Sequence, residues 1–499
     1  MKWIRPISAR VEETAEMLGS KAHGLVVLHR LGLPVPAGFV VTTEACRAFL
    51  RDGRLPDGLD DELATAITDL EAATGRHFGG AQVPLVVSVR SGASVSMPGM
   101  MNTILNLGLT TGATAGLAAE TGDARFAQSS RRRFLSSFAS AGTSDRPIPD
   151  DATRQLELAV ETVFSSWDTP RARTYRELHD VPHHLGTAAT VQTMVFGNRD
   201  DHSGTGVAFS RDPNTGENIP FGEVLFGHQG EDVVSGRSLT RPLHELADRE
   251  PAVWTGLLDA LRRVEGHYRD ACYVEFTFEA GELWILQVRP GRFVGGAAVR
   301  VATDLADERA IGRHEALRRV SPQHLRHVRT PRIAPNADIL ARGLGACPGV
   351  AAGRVATTAD RAVRMSTDGP VILVRPETSP HDMRGLAAAT GIVTARGGPA
   401  SHAAVVARSM GKPAVVGITD LTVADASVCA GGRTISEGTL VTIDGTSGEV
   451  ALGSPRIVTI TAGAHLHRLL EWADDVSGDR TERDEAQRLN AAHAVLRHE

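Results

Sequence analysis

The sequence predicts a multidomain chain of mixed α/β and α+β class. Three observations lead there. At 499 residues it exceeds the ~100–200 residues that one core usually serves, so two to four domains are expected. Over the first 300 residues, short apolar runs such as Pro84–Val89 and Val191–Phe196 are interleaved with stretches of helical period such as Leu156–Trp167 and Val253–Tyr268. Beyond residue 339 the composition shifts to Gly, Ala and Val, with short strands at Val371–Val374, Gly391–Val393, Ala414–Val416 and Thr439–Ile443.

In chain order this gives a first domain over residues 1–300 and a helical, charged segment over 301–338. That segment (VATDLADERAIGRHEALRRV) breaks at Thr330-Pro331 and Ala334-Pro335 and is expected to be a hinge or linker. A compact second domain follows over 339–455, then a helical tail over 456–499 with one helix at His465–Val476. The net charge of −6 shows no basic excess of the kind that holds a polyanion by counterion release, so nucleic acid is not an expected partner. No stretch approaches the roughly 20 apolar residues of a membrane span, and MKWIRPISAR has no apolar leader; no membrane association and a cytoplasmic location are expected. Cys46, Cys272, Cys347 and Cys429 have no CxxC spacing, which excludes the usual zinc and disulfide patterns.

Only Lys2, Lys21 and Lys412 are lysines; every other basic residue is arginine. In so biased a chain a lysine is expected where a compact ammonium does what a planar fork cannot, which singles out Lys21 and Lys412.

The strongest local signal is GIVTARGGPASHAAVVARSMGKPAVVG, Gly391–Gly417. An apolar strand ends at Ala395, Gly397-Gly398-Pro399 make a tight turn, and a helix runs from Ser401 until Gly411 and Pro413 stop it. His402 then falls in the first helical turn, where free N–H groups and the positive helix end stabilise an anion and favour neutral imidazole. The pattern GG-x-x-SHAA-V-AR-x-MGKP-V-G resembles the phosphohistidine motif of the swivelling β/β/α domain in phosphoenolpyruvate-utilising enzymes. RPETSPHDMRG (Arg375–Gly385) and GLGACPGVAAGRV (Gly343–Val355) are similar to the pyruvate, phosphate dikinase family in particular. The resemblance implies that His402 carries a phosphoryl group. Ala400 stands where the family has a threonine, which bears on regulation through that residue.

The first domain holds three further segments of interest. Leu18–Phe49 places Lys21 near the start of an amphipathic helix, where it could meet phosphate oxygens as a point charge. LVVSVRSGASVSMPGMMNTILNLGL leads from a strand to Arg90 and a loop with Gly92, Pro98 and Gly99; Met97, Met100 and Met101 could pack on a base or fill core. In YVEFTFEAGELWILQVRPGR, a three-residue loop at Ala280–Glu282 would set Glu275 across from Gln287 and Tyr273 across from Arg289. The carboxylate and the amide would offer hard oxygen ligands for Mg²⁺.

In order and separation these segments resemble the ATP-grasp domain of pyruvate, phosphate dikinases, and VQTMVFGN, SGTGVAFSRDPNTGE and GEDVVSGR extend the likeness over nearly the whole chain. The resemblance implies phosphate-binding roles for Lys21, Arg90, Arg133 and Arg289, metal-binding roles for Glu275 and Gln287, and ATP, phosphate and Mg²⁺ as substrates and cofactor. Two departures stand out. Tyr273 replaces a family aspartate, and the helical insert after Arg133 looks abbreviated around Ala139–Asp150.

The expected activity is the dikinase half-reaction in which ATP, phosphate and His402 give AMP, pyrophosphate and phospho-His402. A (β/α)₈ barrel takes about 250 residues, more than follow Pro455, so the pyruvate or other acceptor site is expected on a separate barrel subunit. Two other readings are a small-molecule phosphotransferase similar to rifampicin phosphotransferase and a catalytically impaired nucleotide-binding interaction module. Tyr273 and Ala400 favour the second of these, while His402, Lys21 and Arg90 oppose it.

Overall fold

The computed structural model describes residues 2–95, 97, 100–141, 147–235, 240–291, 293, 295–326, 328–399, 401–461, 463–481 and 483–498. They form two compact units, Met1–Gly204 with Phe276–Val288, and Thr205–Glu275 with Arg289–Glu499.

In the first unit an antiparallel sheet runs in the order Ile4–Pro6, Gly38–Val41, Ala188–Thr193, Val87–Gly92, Thr103–Leu107. Val41, Val87, Val89, Ile104 and Val191 pack against Leu63, Phe134, Leu156 and Phe164 of the covering helices. Burial of so many branched and aromatic side chains, each contributing roughly 1.5–3 kcal/mol, fixes this sheet as a rigid floor. The helix Ala15–Arg30 breaks at Gly19, which adopts φ +74°, ψ 153°. A Cβ at Gly19 would lie 1.8 Å from the Gly92 carbonyl oxygen, so only glycine lets the helix restart over the end of the Val87–Gly92 strand. Lys21 lies in the turn that restarts there.

The second unit contains the β/β/α domain. Its eight-stranded sheet has the order Ile339–Arg342, Glu449–Leu452, Leu440–Asp444, Val350–Ala356, Val371–Arg375, Gly391–Thr394, Ala414–Val416, Leu344–Cys347. The strands from Val350–Ala356 to Ala414–Val416 are mutually parallel, and helices Ala359–Met365, Met383–Ala388 and His402–Met410 connect them in turn. Leu373, Ile392 and Val416 face a core with Ala362, Leu386, Ala404 and Ala407 of those helices. Ile372, Val393 and Val415 face the opposite core with Val428 and Ala430 of a three-stranded sheet. Strands buried on both faces read as continuous apolar runs, which is how they were legible in sequence.

The expected linker and tail are packed together. Helices Gly295–Asp307, Arg313–Arg319 and Pro322–Arg326 bury Val301, Leu305, Leu317 and Leu325 against Leu466, Leu470, Trp472, Leu489 and Leu496 of helices Gly463–Ser477 and Glu485–Leu496. Residues 301–326 thus form one side of a helical cluster whose apolar core the two C-terminal helices complete. The Glu485–Leu496 helix was not anticipated. Pro331 sits within the strand Arg329–Ile333, which pairs antiparallel with Ile457–Thr461; a two-stranded ribbon has edge positions that need no N–H. This ribbon is tied to the β/β/α domain by Asp444, which is fully buried. One carboxylate oxygen accepts from Arg332 Nε (2.8 Å) and Ile333 N (3.1 Å), the other from Thr446 N (2.9 Å) and Ser447 N (3.0 Å).

Removing a buried charge's partner costs about 3–5 kcal/mol. Asp444→Ala is therefore expected to lower the stability of the second unit by ~3 kcal/mol, read as a lower urea midpoint, while Asp444→Asn costs less. An unchanged midpoint in Asp444→Ala would mean that the ribbon is not anchored there.

Candidate functional site

The strand Gly391–Thr394 delivers the chain to Gly397, whose φ of +97° turns it sharply. Ser401 N donates to Gly398 O at 3.0 Å and closes the turn. Ser401 then caps the helix His402–Met410, its hydroxyl accepting from Ala404 N at 3.5 Å, and Gly411 at φ +64° ends it. His402 is the first helical residue, where the motif places it. Pro98, Gly99 and Ala400, all noted in the sequence, lie outside the described residues.

The imidazole is held by one nitrogen. His402 Nδ1 lies 3.0 Å from Thr378 Oγ1, and His402 Nε2 is buried with no hydrogen-bond partner among the described residues. A buried N–H without a partner is rarer and costlier than a buried lone pair. The favoured tautomer therefore carries its proton on Nδ1, donating to Thr378, and leaves the Nε2 lone pair free for a new bond. Burial pushes the His402 pKa below its ordinary 6.5, and the nearby Asp382 carboxylate opposes this only in part. The ring is thus neutral and nucleophilic at pH 7.

Thr378 and Asp382 come from the Arg375–Gly385 motif. Ser379 opens a capping box in which its hydroxyl and Asp382 satisfy each other's backbone N–H groups, and Arg375 Nε lies 3.4 Å from Asp382 Oδ1. Thr378 was not singled out in sequence. The signal was there, because S-x-x-D marks a cap and fixes the residue just before it.

A second set of side chains lies against the histidine loop. Glu223, on the strand Phe221–Phe226, is 1% exposed, and a Cβ on Gly398 would fall 1.5 Å from its Oε2. Arg408 donates to Ala346 O (2.9 Å) and Pro399 O (2.6 Å), and its guanidinium lies 5.7 Å from the Phe209 ring centroid. Burial pushes the Arg408 pKa down, with Cys347, Tyr273 and Glu223 opposing. Tyr273 packs edge-on against Phe209 at 5.0 Å and places its hydroxyl 3.5 Å from Glu275 Oε1. Arg289 Nη2 lies 3.6 Å from the same oxygen. Burial, then the Glu275 charge, pushes the Tyr273 pKa well up, so the phenol stays protonated.

In the first unit Arg90 Nη2 donates to Gln192 Oε1 (2.5 Å) and to Leu286 O (3.1 Å). Gln287 is the next residue along and is 3% exposed. Lys21, stacked over Gly92, belongs to the same end of the sheet: a Cβ on Gly92 would lie 3.2 Å from Lys21 Cβ. Lys21 and Arg90 thereby lie at one end of the sheet. Arg133 comes from a helix that covers the sheet. It lies on the helix Ala124–Ser140, one turn before Ser137, whose hydroxyl accepts from Leu105 N.

Two sequence expectations need correction. The hairpin between Cys272–Glu279 and Glu282–Pro290 has a two-residue loop, Ala280-Gly281, at φ +51° and +79°, not three residues. Gly281 N donates to His202 O and Ala280 N to Ser203 Oγ, while Glu279 accepts from Phe196 N and Arg199, which pins the tight turn. A loop shorter by one residue moves the register by one, so the expected facing of Glu275 with Gln287 and Tyr273 with Arg289 does not follow from it. Lys412 is structural: its ammonium donates to the carbonyls of Leu386 (3.0 Å), Ala389 (2.6 Å) and Ala387, closing the end of the helix Met383–Ala388. Glu275 carries a half-buried carboxylate, an oxygen donor of the hard kind that Mg²⁺ takes. Among the described residues no group of three or more His, Cys, Asp or Glu is placed to hold a metal by itself.

The ring assignment has a direct readout. In a ¹⁵N NMR titration His402 should remain neutral at pH 6.5, with the proton on Nδ1, and Asp382→Asn should move its midpoint lower still, because the opposing charge is lost. A His402 midpoint at or above 6.5 would contradict the desolvated site.

Residues 15–73 and 52–242 match the "Pyruvate phosphate dikinase, AMP/ATP-binding domain" model, and residues 367–448 match the "PEP-utilising enzyme, mobile domain" model. The chain is 40% identical to pyruvate, phosphate dikinase 2 of Zea mays over 96% of its length and 61% of that protein. It is 38% identical to the pyruvate, phosphate dikinase of Clostridium symbiosum (95% and 60%) and 39% identical to that of Rhizobium meliloti strain 1021 (95% and 60%). The chain therefore spans about 60% of the length of these relatives. No described helix is long and apolar enough to cross a membrane. With a nucleotide-binding match over the first half and a mobile-domain match around His402, the chain belongs to the pyruvate, phosphate dikinase family of phosphoenolpyruvate-utilising enzymes.

Proposed function

We propose that the chain carries out the phosphorylating half of a dikinase reaction: ATP, inorganic phosphate and His402 give AMP, pyrophosphate and phospho-His402. The observation that supports this most is the His402 ring, neutral, fixed through Nδ1 to Thr378 and presenting a buried Nε2 lone pair at a helix start. In this reaction a bond forms between Nε2 and the β-phosphorus. The bond from that phosphorus to the α–β bridging oxygen breaks and releases AMP; an oxygen of inorganic phosphate then bonds to the γ-phosphorus, whose bond to the β–γ bridging oxygen breaks, which releases pyrophosphate and leaves the β-phosphoryl group on Nε2.

Lys21, Arg90, Arg133 and Arg289 are proposed to bind phosphate groups, and Glu275 and Gln287 to hold Mg²⁺. Bound there, the ion would supply positive charge to the triphosphate. The difficulty of the step is electrostatic, since an uncharged ring must approach a polyanion, and fixed cations lower that barrier without reorganising. The carrier then delivers its phosphoryl group to pyruvate or another acceptor at a separate site, which we place on a partner barrel subunit.

A second reading, a nucleotide-binding module with impaired chemistry, draws on Tyr273. Its hydroxyl and Arg289 both crowd the Glu275 oxygen that a metal would need.

Two experiments separate these readings. Incubation with Mg²⁺, phosphate and ATP labelled at the β position should give an acid-labile, base-stable phosphoprotein, abolished by His402→Asn; transfer of γ label alone would remove the dikinase assignment. Tyr273→Asp should lower the Mg²⁺ concentration needed for half-maximal phosphorylation by roughly tenfold, about 1.4 kcal/mol of binding. No change in a folded variant would show the metal site to be complete without a second carboxylate.

A further inference from the structure

We propose that Glu223 is a positioning residue that couples release of the mobile domain to phosphorylation of His402: its carboxylate accepts the loop of the neutral histidine and repels that of the phosphorylated one. The inference rests on His402 being the residue that is phosphorylated.

The geometry is specific. Glu223 is held on its strand by pairing with Pro242, and its side chain is sealed from solvent against Gly398. Gly398 has no left-handed φ, so its lack of a side chain serves closeness alone; any Cβ would occupy the space of the carboxylate. Arg408 of the mobile domain and Tyr273 of the nucleotide-binding half are among the titratable groups that face Glu223. Arg408 is bonded to Ala346 O and Pro399 O, so its charge travels with the histidine loop and attracts Glu223 while His402 is neutral. Two further docking contacts among the described residues, Asn214 Nδ2 to Gly345 O (3.1 Å) and the Phe209 ring under Arg408, are indifferent to charge on the histidine.

Phosphorylation changes one term. A phosphoryl group brings about two negative charges, in a place where low dielectric magnifies their interaction with a buried carboxylate. The positive charge of Arg408 is then shared between two anions, and Glu223 gains most by returning to water. Docking would thus weaken as its product forms, and the carrier would leave loaded rather than empty.

The test uses the full chain with spin labels at two exposed positions, Asp248→Cys on the nucleotide-binding half and Asp368→Cys on the mobile domain, in a Cys429→Ser background. Potassium phosphoramidate phosphorylates histidine without ATP, and mass spectrometry verifies His402. The docking equilibrium constant should fall at least tenfold on phosphorylation in the parent protein, less than twofold in Glu223→Gln, as in the parent in Glu223→Asp, and not at all in His402→Asn. Gly398→Ala should weaken docking without any phosphorylation. A Glu223→Gln protein that releases as fully as the parent, a parent that stays docked with His402 phosphorylated, or a Gly398→Ala protein that docks normally would each overturn the proposal. If phosphoramidate releases the domain while ATP never labels the protein, the dikinase reading fails and this one stands.

Discussion

The contact on which the site depends is that between Thr378 and His402 Nδ1. It fixes which nitrogen holds the proton, and so which one can form a bond. Everything around it serves to keep that contact in place. The parallel strands Val371–Arg375 and Gly391–Thr394 lie side by side in the sheet, so the loops that leave them converge at one edge. The capping box at Ser379 stiffens one loop; the Gly397 turn and Ser401 cap stiffen the other. Two short, locally satisfied loops on a rigid sheet can hold a ring to within hydrogen-bond tolerance, which a longer loop could not.

Charge is handled by arginine throughout, and the three lysines illustrate why. Arg211 is fully buried and is held by Glu265 (2.7 Å) and Glu308 (2.6 Å), using the planar fork on two carboxylates at once. Arg408 spans two carbonyls in the same way. Lys412 does the converse task, placing one compact ammonium at the centre of three carbonyls at a helix end. The rarity of lysine pointed to special positions, but for Lys412 the special need was structural.

Much of this was legible in the sequence, for identifiable reasons. The strands of the β/β/α domain are buried on both faces, so their apolar runs stand out without knowledge of the partners. The helix at His402 carries its own start and stop signals in Ser401 and Gly411. Other features depend on distant pairs. The helices within 301–326 read as a linker because the residues that complete their core, Leu466, Leu489 and Leu496, lie some 150 positions later. The hairpin loop was misjudged by one residue because Ala280 accepts a positive φ that its side chain disfavours, held there by His202 and Ser203. Glu223 carries no local signal; only its approach to Gly398 in three dimensions marks it.

The central claim is that Nε2, not Nδ1, is the reactive nitrogen of His402. The most direct measurement is heteronuclear NMR of the phosphorylated protein, in which the phosphorus–nitrogen coupling identifies the ring atom that carries the phosphoryl group. A single phosphohistidine bonded at Nε2, with Nδ1 still protonated toward Thr378, is the predicted result. Phosphorus bonded to Nδ1 would contradict it, because that nitrogen could not then be the one anchored to Thr378.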